Sequence, residues 1–402
     1  MKELSFYENL LALPDLKLES IERHPSKLIF HCKYMKRDST CPKCSAQTDK
    51  INQWDTRKYR DLKISVYEVW LYVKVPQFVC KKCNRYYFQP PTWVEKGKSY
   101  TKRQAKWIFE MAKKQSFTEV GALVNMSHKT VEHLYYSMAE QVIDLPTRYA
   151  NVRKMGIDEV SHEKGKGGYV CVLTDIERGI QLDILPDRKK DTLLTHFQSL
   201  GEDFCNQIKA VSCDIWKTYI HVAQECFPNA EVVIDRFHVV KALNHVLDTQ
   251  RKALRKEYKA EDCFKYLIPK AIGRRLFKRY EKCSEVDKEN LNAAFQKSWL
   301  LEEIYELRKT FNAMFDVSLN QKDLQKSIHH WIEHAKKLDY EPLNKFIKTL
   351  QNWEEPITAF ANQRISNAVT EGLNNFLRYF KRICFGLPNF EHMRLRVLVI
   401  SS

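Results

Sequence analysis

The sequence contains no apolar run that approaches the ~18–20 residues of a membrane-spanning helix, so no membrane span is expected. Its first residues, Met1-Lys-Glu-Leu-Ser, lack the apolar core of an export signal. Internal repeats and low-complexity linkers are absent, and a hydrophobic share of 44% with 12% aromatic residues argues against disorder. Twelve cysteines in 402 residues are too few for a disulfide-dense fold. A reducing cytosol is therefore expected, and cysteine pairs indicate a metal before a disulfide.

Positive charge is what the chain has in excess. The formal net charge is +16, and the excess is greatest in the first 150 residues. A balance of this sign favours a polyanionic partner such as DNA, although it says nothing about the fold. The length allows two to four domains and a sizeable core.

Two Cys-x-x-Cys pairs are separated by 35 residues in the N-terminal part of the chain. Each pair forms a bend that turns two thiolates toward one tetrahedral ion, and Zn²⁺ prefers such soft ligands in a closed structural shell. A redox pair would be followed by a βαβ pattern, which is absent; two accidental pairs in a core are the other alternative. We predict a zinc-binding module over residues 41–95, preceded by a hairpin region over residues 1–40. The predicted zinc ligands are Cys41, Cys44, Cys80 and Cys83.

Residues 96–150 are predicted to form a helix-turn-helix DNA-binding domain. Ser116-Phe-Thr-Glu119 has the form of a capping box that starts a helix, and the small Gly121 allows another helix to approach. Asn125 then favours the left-handed turn before a second helix. An ordinary helical hairpin is the alternative, but the basic zinc module beside it favours DNA binding. The exposed start of the second helix would enter a major groove with His128, Lys129, Thr130, Glu132 and His133.

The chain changes to an α/β pattern after residue 150. Three strands in a meander followed by alternating helices and strands are the ribonuclease H-like order of a mixed sheet. The first and fourth strands are neighbours in that order, so Asp158 on the first strand and Asp214 at the end of the fourth can share a metal ion. The predicted strands cover 152–160, 168–174, 179–185, 208–213 and 230–234, and the predicted helices cover 190–200, 216–226 and a segment from 237.

The remaining segments complete a multidomain α/β architecture. Residues 241–359 lack strand patterns and are predicted to be a large α-helical insertion. The ribonuclease H-like catalytic domain then consists of residues 151–240 and 360–402.

A third carboxylate is expected on the helix predicted over residues 365–378. Glu371 lies mid-helix opposite an apolar stripe that would direct it against the sheet. The stripe consists of Leu373, Phe376, Leu377, Phe380 and Cys384. Arg378 and Arg382 add positive charge to the face that carries Glu371, as DNA binding would need. Three other glutamates compete for the role, each near a predicted helix start where a carboxylate is often a first-turn charge. They are Glu354, Glu355 and Glu391.

Several motifs stand in a fixed order over nearly the whole chain. They are the cysteine module 41–83, Arg60-Asp-Leu, the helix-turn-helix, Ile157-Asp-Glu-Val, Cys213-Asp-Ile-Trp-Lys-Thr-Tyr, Val233-Ile-Asp-Arg-Phe-His-Val-Val-Lys and Ser366-Asn-Ala-Val-Thr-Glu-Gly-Leu-Asn. Together they resemble the ISL-three family of bacterial insertion-sequence transposases. The resemblance implies an Asp-Asp-Glu transposase that acts on the ends of its own element. A DNA-binding regulator that has lost catalysis is the alternative.

The chemistry of such an enzyme agrees with the acidic residues. Phosphodiester cleavage by water needs no protein nucleophile and is served by two hard cations about 3.5–4 Å apart. Mg²⁺ or Mn²⁺ takes carboxylate oxygens, so Asp158 would bridge both ions while Asp214 and Glu371 each hold one. His238 belongs to an Asp-x-x-His that related transposases carry, and it would either orient the scissile phosphate or act as a structural cap.

The expected partners are the terminal inverted repeats of the element and the target DNA. Synapsis of two ends implies a homo-oligomer on DNA, a dimer or larger, with no membrane partner. The expected location is the bacterial cytoplasm in association with the nucleoid. Core packing is the expected role of Trp216, Trp331 and Trp353.

Overall fold

The structure is a computed structural model that describes residues 2–161, 168–258, 276–278, 280–365, 368–384 and 389–401. It divides into two compact units. The N-terminal unit comprises residues 1–142 with the segment 383–385, and the C-terminal unit comprises residues 143–382 and 386–402. No helix in the described ranges is long and apolar enough to cross a membrane. Residues 366–367 of the last family-like motif lie outside the described residues.

The N-terminal unit begins with a helix and a five-stranded sheet. The predicted hairpin is present, since the first two strands pair antiparallel. The second strand then pairs in parallel with the sixth, which lies between the two cysteine pairs, so the sheet spans the predicted boundary at residue 40. The sheet order is β1-β2-β6-β5, with β7 paired to β6. The elements are α1 (Lys2–Leu11), β1 (Leu16–Arg23), β2 (Lys27–Tyr34), β3 (Ser39–Thr40), β4 (Gln47–Thr48), β5 (Ile51–Ile64), β6 (Tyr67–Val79) and β7 (Tyr86–Phe88).

Alternation of side chains gives this sheet one apolar and one polar face. The inner face of β6 contributes residues such as Leu71 and Val73, both fully buried, and Phe30 of β2 packs beside them. Trp93 and Leu11 close the same core. The opposite face is left to polar and aromatic side chains.

Four helices follow the sheet. α2 (Lys102–Ala112), α3 (Phe117–Val124) and α4 (His128–Val142) belong to the N-terminal unit, and α5 (Leu145–Tyr149) belongs to the C-terminal unit. The predicted capping box is present at the start of α3, where Ser116 and Glu119 exchange hydrogen bonds between side chain and backbone. Asn125 ends α3 in the left-handed conformation, with φ 52° and ψ 50°. The predicted helix-turn-helix therefore forms from α3, a short turn and α4.

Gly121→Ala is expected to destabilise this turn. A Cβ at position 121 would lie 2.7 Å from the carbonyl oxygen of Met126 and 3.3 Å from the amide nitrogen of His128. Both atoms belong to the backbone of the turn, so the methyl group forces α3 and α4 apart at a cost of about 1–3 kcal/mol. Thermal unfolding measures the effect. Gly372→Ala is the matched control, because a Cβ there meets nothing within 4 Å; equal unfolding midpoints for the two variants would contradict the packing argument.

The C-terminal unit contains a five-stranded mixed sheet of order β10-β9-β8-β11-β12. β8, β9 and β10 pair antiparallel, whereas β8, β11 and β12 pair in parallel. The predicted order of strands and helices is present. The short helix α7 was not predicted, because six residues carry too little periodicity. The elements are β8 (Lys154–Ser161), β9 (Tyr169–Asp175), β10 (Ile180–Leu185), α6 (Lys190–Ser199), α7 (Glu202–Gln207), β11 (Ala210–Cys213), α8 (Lys217–Cys226), β12 (Glu231–Ile234) and α9 (Arg236–Glu257).

A block of helices follows β12 and shares one hydrophobic core with the sheet. Trp331 is 4% exposed and donates a hydrogen bond to the carbonyl of Leu307, which confirms core packing. Trp353 is partly buried against the same core. After a short 3₁₀ turn (Tyr280–Lys282), the described helices are α10 (Glu285–Lys297), α11 (Trp299–Val317), α12 (Gln321–Lys336), α13 (Glu341–Asn352), α14 (Glu354–Thr358) and α15 (Phe360–Gln363).

Two final helices, α16 (Ala368–Ile383) and α17 (Phe390–Ile400), return to the sheet. In α17, Arg394 donates two hydrogen bonds to the buried carboxylate of Asp183 on β10, at 2.6 and 2.8 Å. Lys381 of α16 donates to the carbonyl of Ser161 at the end of β8. These bonds fix both helices to the sheet that carries the predicted acids.

Candidate metal and DNA sites

The four predicted cysteines form a compact cluster. Within the described ranges, it is the only group of three or more possible metal ligands whose ligand atoms all lie within 4.8 Å of one another. The Sγ–Sγ distances are 3.6 Å for Cys41 and Cys83, 3.4 Å for Cys44 and Cys80, and 3.7 Å for Cys44 and Cys83. Thiolates at ~2.3 Å from a tetrahedral Zn²⁺ stand about 3.8 Å apart. The donor set and its spacing therefore fit a closed structural zinc site.

The two cysteine pairs have the same backbone conformation. The amide of Ser45 donates to the Cys41 carbonyl, and the amide of Asn84 donates to the Cys80 carbonyl, each at 2.9 Å. Ser45 and Asn84 both adopt positive φ, 57° and 50°. Hydrogen bonds from the amides of Cys83 and Lys82 outweigh burial and lower the pKa of the Cys80 thiol to about 6, which favours its thiolate. The pKa of the neighbouring Cys83 thiol is raised to about 11.

The sheet beside the zinc cluster carries the helix-turn-helix. Arg60 of β5 donates to the carbonyls of Val124 and Asn125 at 3.0 and 2.7 Å. Its neighbour Asp61 is 2% exposed and accepts hydrogen bonds from Thr101 and Arg103, both at the start of α2. The Arg60-Asp-Leu motif thus connects the sheet to the helices within the N-terminal unit.

The start of α4 has the exposure that a recognition helix needs. His128, Lys129, Thr130 and His133 are exposed. The Thr130 hydroxyl is engaged locally, since it lies 2.8 Å from the hydroxyl of Ser127, whose oxygen also accepts the Thr130 amide. Three of the four side chains therefore point outward without a role in capping.

Asp158 and Asp214 lie on neighbouring parallel strands. Ile157 of β8 is the register partner of Cys213 of β11. Asp158 and Asp214, which follow these two residues, therefore lie at adjacent positions. This is the arrangement that the strand order predicted. Burial, followed by the charge of Asp214, raises the pKa of Asp158 to about 6. The charge of Asp214 therefore disfavours the charged form of Asp158, as expected where a cation would neutralise the site.

His238 contacts Asp214 directly. Its Nε2 lies 2.8 Å from Asp214 Oδ1. Burial lowers the pKa of His238, but the hydrogen bond to Asp214 and the charge of that carboxylate outweigh burial and give a net rise. Asp235 caps α9 because its carboxylate accepts a hydrogen bond from the amide of Phe237. The cap in this motif is therefore Asp235, and His238 faces Asp214.

Helix α16 buries part of the predicted apolar stripe, since Leu377 and Phe380 are 1% and 2% exposed. The predicted apolar stripe included Phe376, which is 43% exposed, whereas Asn374 is fully buried. Asn374 donates from Nδ2 to Asp158 Oδ2 at 2.7 Å. Glu371 stands in the first turn of α16 rather than mid-helix, because the helix begins at Ala368, and its side chain is exposed.

Glu371 is therefore not grouped with Asp158 and Asp214 in this structure. Asn374, one turn after Glu371, is the residue of α16 that contacts Asp158. Arg378 and Arg382 lie farther along α16, and Arg378 donates to the side chain of Asn375.

A polar cluster beside Asp214 was not predicted. Glu159 follows Asp158 on β8 and accepts hydrogen bonds from Arg188 and from the hydroxyl of Tyr219, at 2.7 and 3.1 Å. The Arg188 guanidinium lies 4.4 Å from the ring centroid of Trp216. Trp216 is 40% exposed, so its predicted core packing is wrong. The sequence Ile157-Asp-Glu-Val could have indicated this cluster. Successive side chains on a strand point to opposite faces, so Glu159 must face a different environment from Asp158.

Glu159 and Trp216 of this cluster line a cavity of about 1110 Å³ in the C-terminal unit. Asp214, Trp216 and His238 lie at one part of its wall, and Lys241 and Lys345 of the helical block lie at another. A space of this size, lined by Glu159, Asp214 and two lysines, can hold a length of polyanion.

Comparison with known proteins gives matches for each part of the chain. Residues 37–83 match the zinc finger of transposase IS204/IS1001/IS1096/IS1165, residues 89–136 match the helix-turn-helix domain of transposase family ISL3, and residues 155–397 match the DDE transposase model of that family. The transposase for insertion sequence element IS1001 from Bordetella parapertussis is 24% identical over 362 residues, which cover 89% of this chain and 87% of the relative. The transposase for IS1557 from Mycobacterium tuberculosis is 24% identical over 377 residues, 87% of this chain and 83% of the relative.

A zinc finger, a helix-turn-helix and a mixed α/β unit with paired acids, in this order, define a DNA transposase. The chain belongs to the ISL3 family of transposases, whose model covers more than half of its residues.

Proposed function

We propose that this transposase cleaves DNA at the ends of its own insertion sequence and joins the freed 3′-hydroxyl to target DNA. The observation that carries the proposal is the placement of Asp158 and Asp214 on neighbouring parallel strands, close enough for one charge to raise the other's pKa. Paired carboxylates on adjacent parts of a sheet are hard oxygen ligands for divalent cations.

The catalytic domain is proposed to be ribonuclease H-like, with residues 241–359 as its helical insertion. The antiparallel meander β10-β9-β8 extended by parallel β11 and β12 supports this assignment. The shared core of sheet and helical block supports an insertion that folds together with the domain.

Each residue near the acids has a proposed role. Asp158, Asp214 and Glu371 would hold Mg²⁺ or Mn²⁺, which when bound activates the attacking hydroxyl and stabilises the leaving oxygen. Asn374 orients Asp158 through its 2.7 Å hydrogen bond, and His238 positions Asp214. Glu371 lies one turn before Asn374, and its exposed side chain would have to turn toward Asp158 to join this set.

DNA delivery is assigned to two surfaces. The start of α4 would read the terminal inverted repeat, and Arg378 and Arg382 would hold phosphates near the acids. Synapsis of two ends requires a homo-oligomer, a dimer or larger, on the DNA.

A direct test of the function uses a labelled duplex that carries the inverted repeat flanking this reading frame. The wild-type protein should bind it and nick it at the repeat boundary only when Mg²⁺ or Mn²⁺ is present. Binding without nicking under either cation would favour a DNA-binding regulator.

Lys129→Glu is expected to weaken end binding by about tenfold and to reduce the salt dependence of binding by about one counterion, because it replaces a phosphate contact with a like charge. His128→Ala and His133→Ala should instead reduce discrimination between the repeat and scrambled DNA, by about 1–3 kcal/mol for each base contact removed. Fluorescence anisotropy over a KCl series measures both quantities. Lys322→Glu, an exposed lysine of α12, is the control; an equal weakening there would contradict the assignment to α4.

A further inference from the structure

The outer face of the N-terminal sheet carries a row of three lysines on adjacent strands. Lys17 of β1 is the register partner of Lys33 of β2, and Lys33 is the partner of Lys74 of β6. Neighbours of all three on the same strands, such as Leu18 and Val73, point into the core, so the lysines point outward. With strands about 4.8 Å apart, the row spans roughly 10 Å.

Such a row is unfavourable for the fold by itself. Like charges directly opposite each other on a sheet are destabilising. Two contacts offset part of the repulsion: Lys74 pairs with Glu19 at 2.9 Å, and the Lys33 ammonium lies 4.6 Å from the ring centroid of Trp54. One acid against three lysines leaves an excess of positive charge that an anion at the surface would neutralise.

The next positions along the strands continue this surface. Lys58 of β5 lies over the ring of Tyr72 at 4.8 Å, and His31 packs edge-on to that ring at 5.5 Å. The acids on the same face are engaged: Glu22 contacts His24 and His31, and Glu68 contacts Arg60 and Asn125. The N-terminal unit as a whole holds 25 Lys and Arg against 15 Asp and Glu over residues 1–142.

The lysine row and the helix-turn-helix belong to the same unit. Thr56 of β5 is the register partner of Lys74, and Arg60, four residues along the same strand, holds the turn between α3 and α4. At ~3.3 Å per residue, the row lies about 13 Å from Arg60. A duplex read by α4 would carry its phosphates within reach of such a surface.

We propose that Lys17, Lys33 and Lys74 form a second DNA-binding surface, which binds the phosphate backbone of the duplex next to the sequence read by α4. The inference rests on the proposed DNA binding by α4 and extends its footprint. Phosphate contacts of this kind add affinity and fix the position of the protein, but they carry no sequence information.

The test compares full-length wild type with a triple variant, Lys17→Gln, Lys33→Gln and Lys74→Gln. Anisotropy over a KCl series should show a plot of log K against log [KCl] that is shallower by about 0.9 for each phosphate contact removed, or about 2 to 3 in total. The ratio of affinities for the repeat and for scrambled DNA should stay unchanged. Hydroxyl-radical footprinting should show no protection beside the site of α4, while protection within that site remains.

Two controls make the result specific. A triple change of the same charge, Lys322→Gln, Lys337→Gln and Lys348→Gln in the segment of α12 and α13, should leave the footprint beside α4 unchanged. Lys→Arg at the three row positions should restore the wild-type salt slope. Removal of like charges should not lower the thermal unfolding midpoint, so weaker binding cannot come from unfolding. An unchanged salt slope and footprint in the row variant would overturn the inference alone, whereas a wild-type protein that binds no end duplex would overturn it together with the proposed function.

Discussion

Asp158→Asn, Asp214→Asn and Glu371→Gln are each expected to abolish Mg²⁺-dependent cleavage of an end duplex while binding of that duplex persists. Each amide keeps the shape of the side chain but removes the charge that holds a cation. Metal ions contribute several kcal/mol of transition-state stabilisation, so the loss of rate should be on the order of 10³-fold or more. A gel-based nicking assay and anisotropy on the same duplex measure the two quantities.

Stability provides an internal control for this result. The pKa of Asp158 is raised to about 6 in the folded protein, mainly by burial and then by Asp214. An acid whose pKa is raised by folding stabilises the fold below its unfolded value, and this stability is lost as pH rises through the folded value. Without divalent cations, Asp158→Asn should therefore raise the free energy of unfolding at pH 7.5 by up to about 3 kcal/mol, and by little at pH 4. A variant that gains stability cannot have lost cleavage through unfolding.

The rival glutamates supply matched variants for the third ligand. Glu354 pairs with His329 at 2.9 Å, and Glu391 lies 3.7 Å from Arg394. Glu354→Gln and Glu391→Gln should therefore cleave at near wild-type rates. If Glu371→Gln cleaved DNA at a near-normal rate while Glu354→Gln or Glu391→Gln lost cleavage, the third metal ligand would be that other glutamate.

Removal of zinc should have the largest effect on the N-terminal unit. Structural zinc in small modules contributes about 10–16 kcal/mol, which matches or exceeds the whole stability of an ordinary domain. Cys80→Ser, or chelation of the wild type, should unfold the segment around the cysteine cluster and abolish end binding, because β6 runs directly into Cys80 and also pairs with β2 and β5. Metal analysis should find one zinc per wild-type chain, and limited proteolysis should cut the zinc-free protein within residues 41–95.

Cys226→Ser serves as the matched control for the zinc prediction. Cys226 is a half-buried cysteine of α8 in the C-terminal unit. Its replacement should change neither the zinc content nor the protease pattern. Zinc-free wild-type protein with an intact N-terminal unit would refute a structural role for the metal.

Sequence patterns predicted the parts of this protein that depend on short spacing. The two Cys-x-x-Cys pairs, the Ser116–Glu119 capping box and the turn at Asn125 each depend on contacts within a few residues, so local chemistry determines them. The strand order after residue 150 was also predictable, because hydrophobic runs and the acids that follow them mark each strand end. That order was sufficient to place Asp158 beside Asp214.

The remaining features depend on contacts between distant segments. The parallel pairing of β2 with β6 joins parts of the chain about 40 residues apart, and no local pattern specifies it. Helix α16 buries Leu377 and Phe380 of the predicted apolar stripe but leaves Phe376 exposed. It also buries Asn374, whose hydrogen bond to Asp158 joins segments more than 200 residues apart. Trp216 is 40% exposed, and the Arg188 guanidinium lies 4.4 Å from its ring centroid, a contact that aromatic content alone cannot reveal.

The central claim is that Asp158, Asp214 and Glu371 hold one divalent-metal site, and iron-directed backbone cleavage tests it most directly. Zinc-loaded protein is incubated with Fe²⁺ in place of Mg²⁺, and hydrogen peroxide and ascorbate are added. The bound Fe²⁺ reduces peroxide to hydroxide and a hydroxyl radical, which cuts the chain beside the iron ligands, and ascorbate returns Fe³⁺ to Fe²⁺. Mass spectrometry should find cuts near residues 158, 214 and 371 that Mg²⁺ suppresses and that Asp214→Asn removes. Cuts near residues 354 or 391 instead of 371, or none near 158 and 214, would contradict the assignment of the metal site.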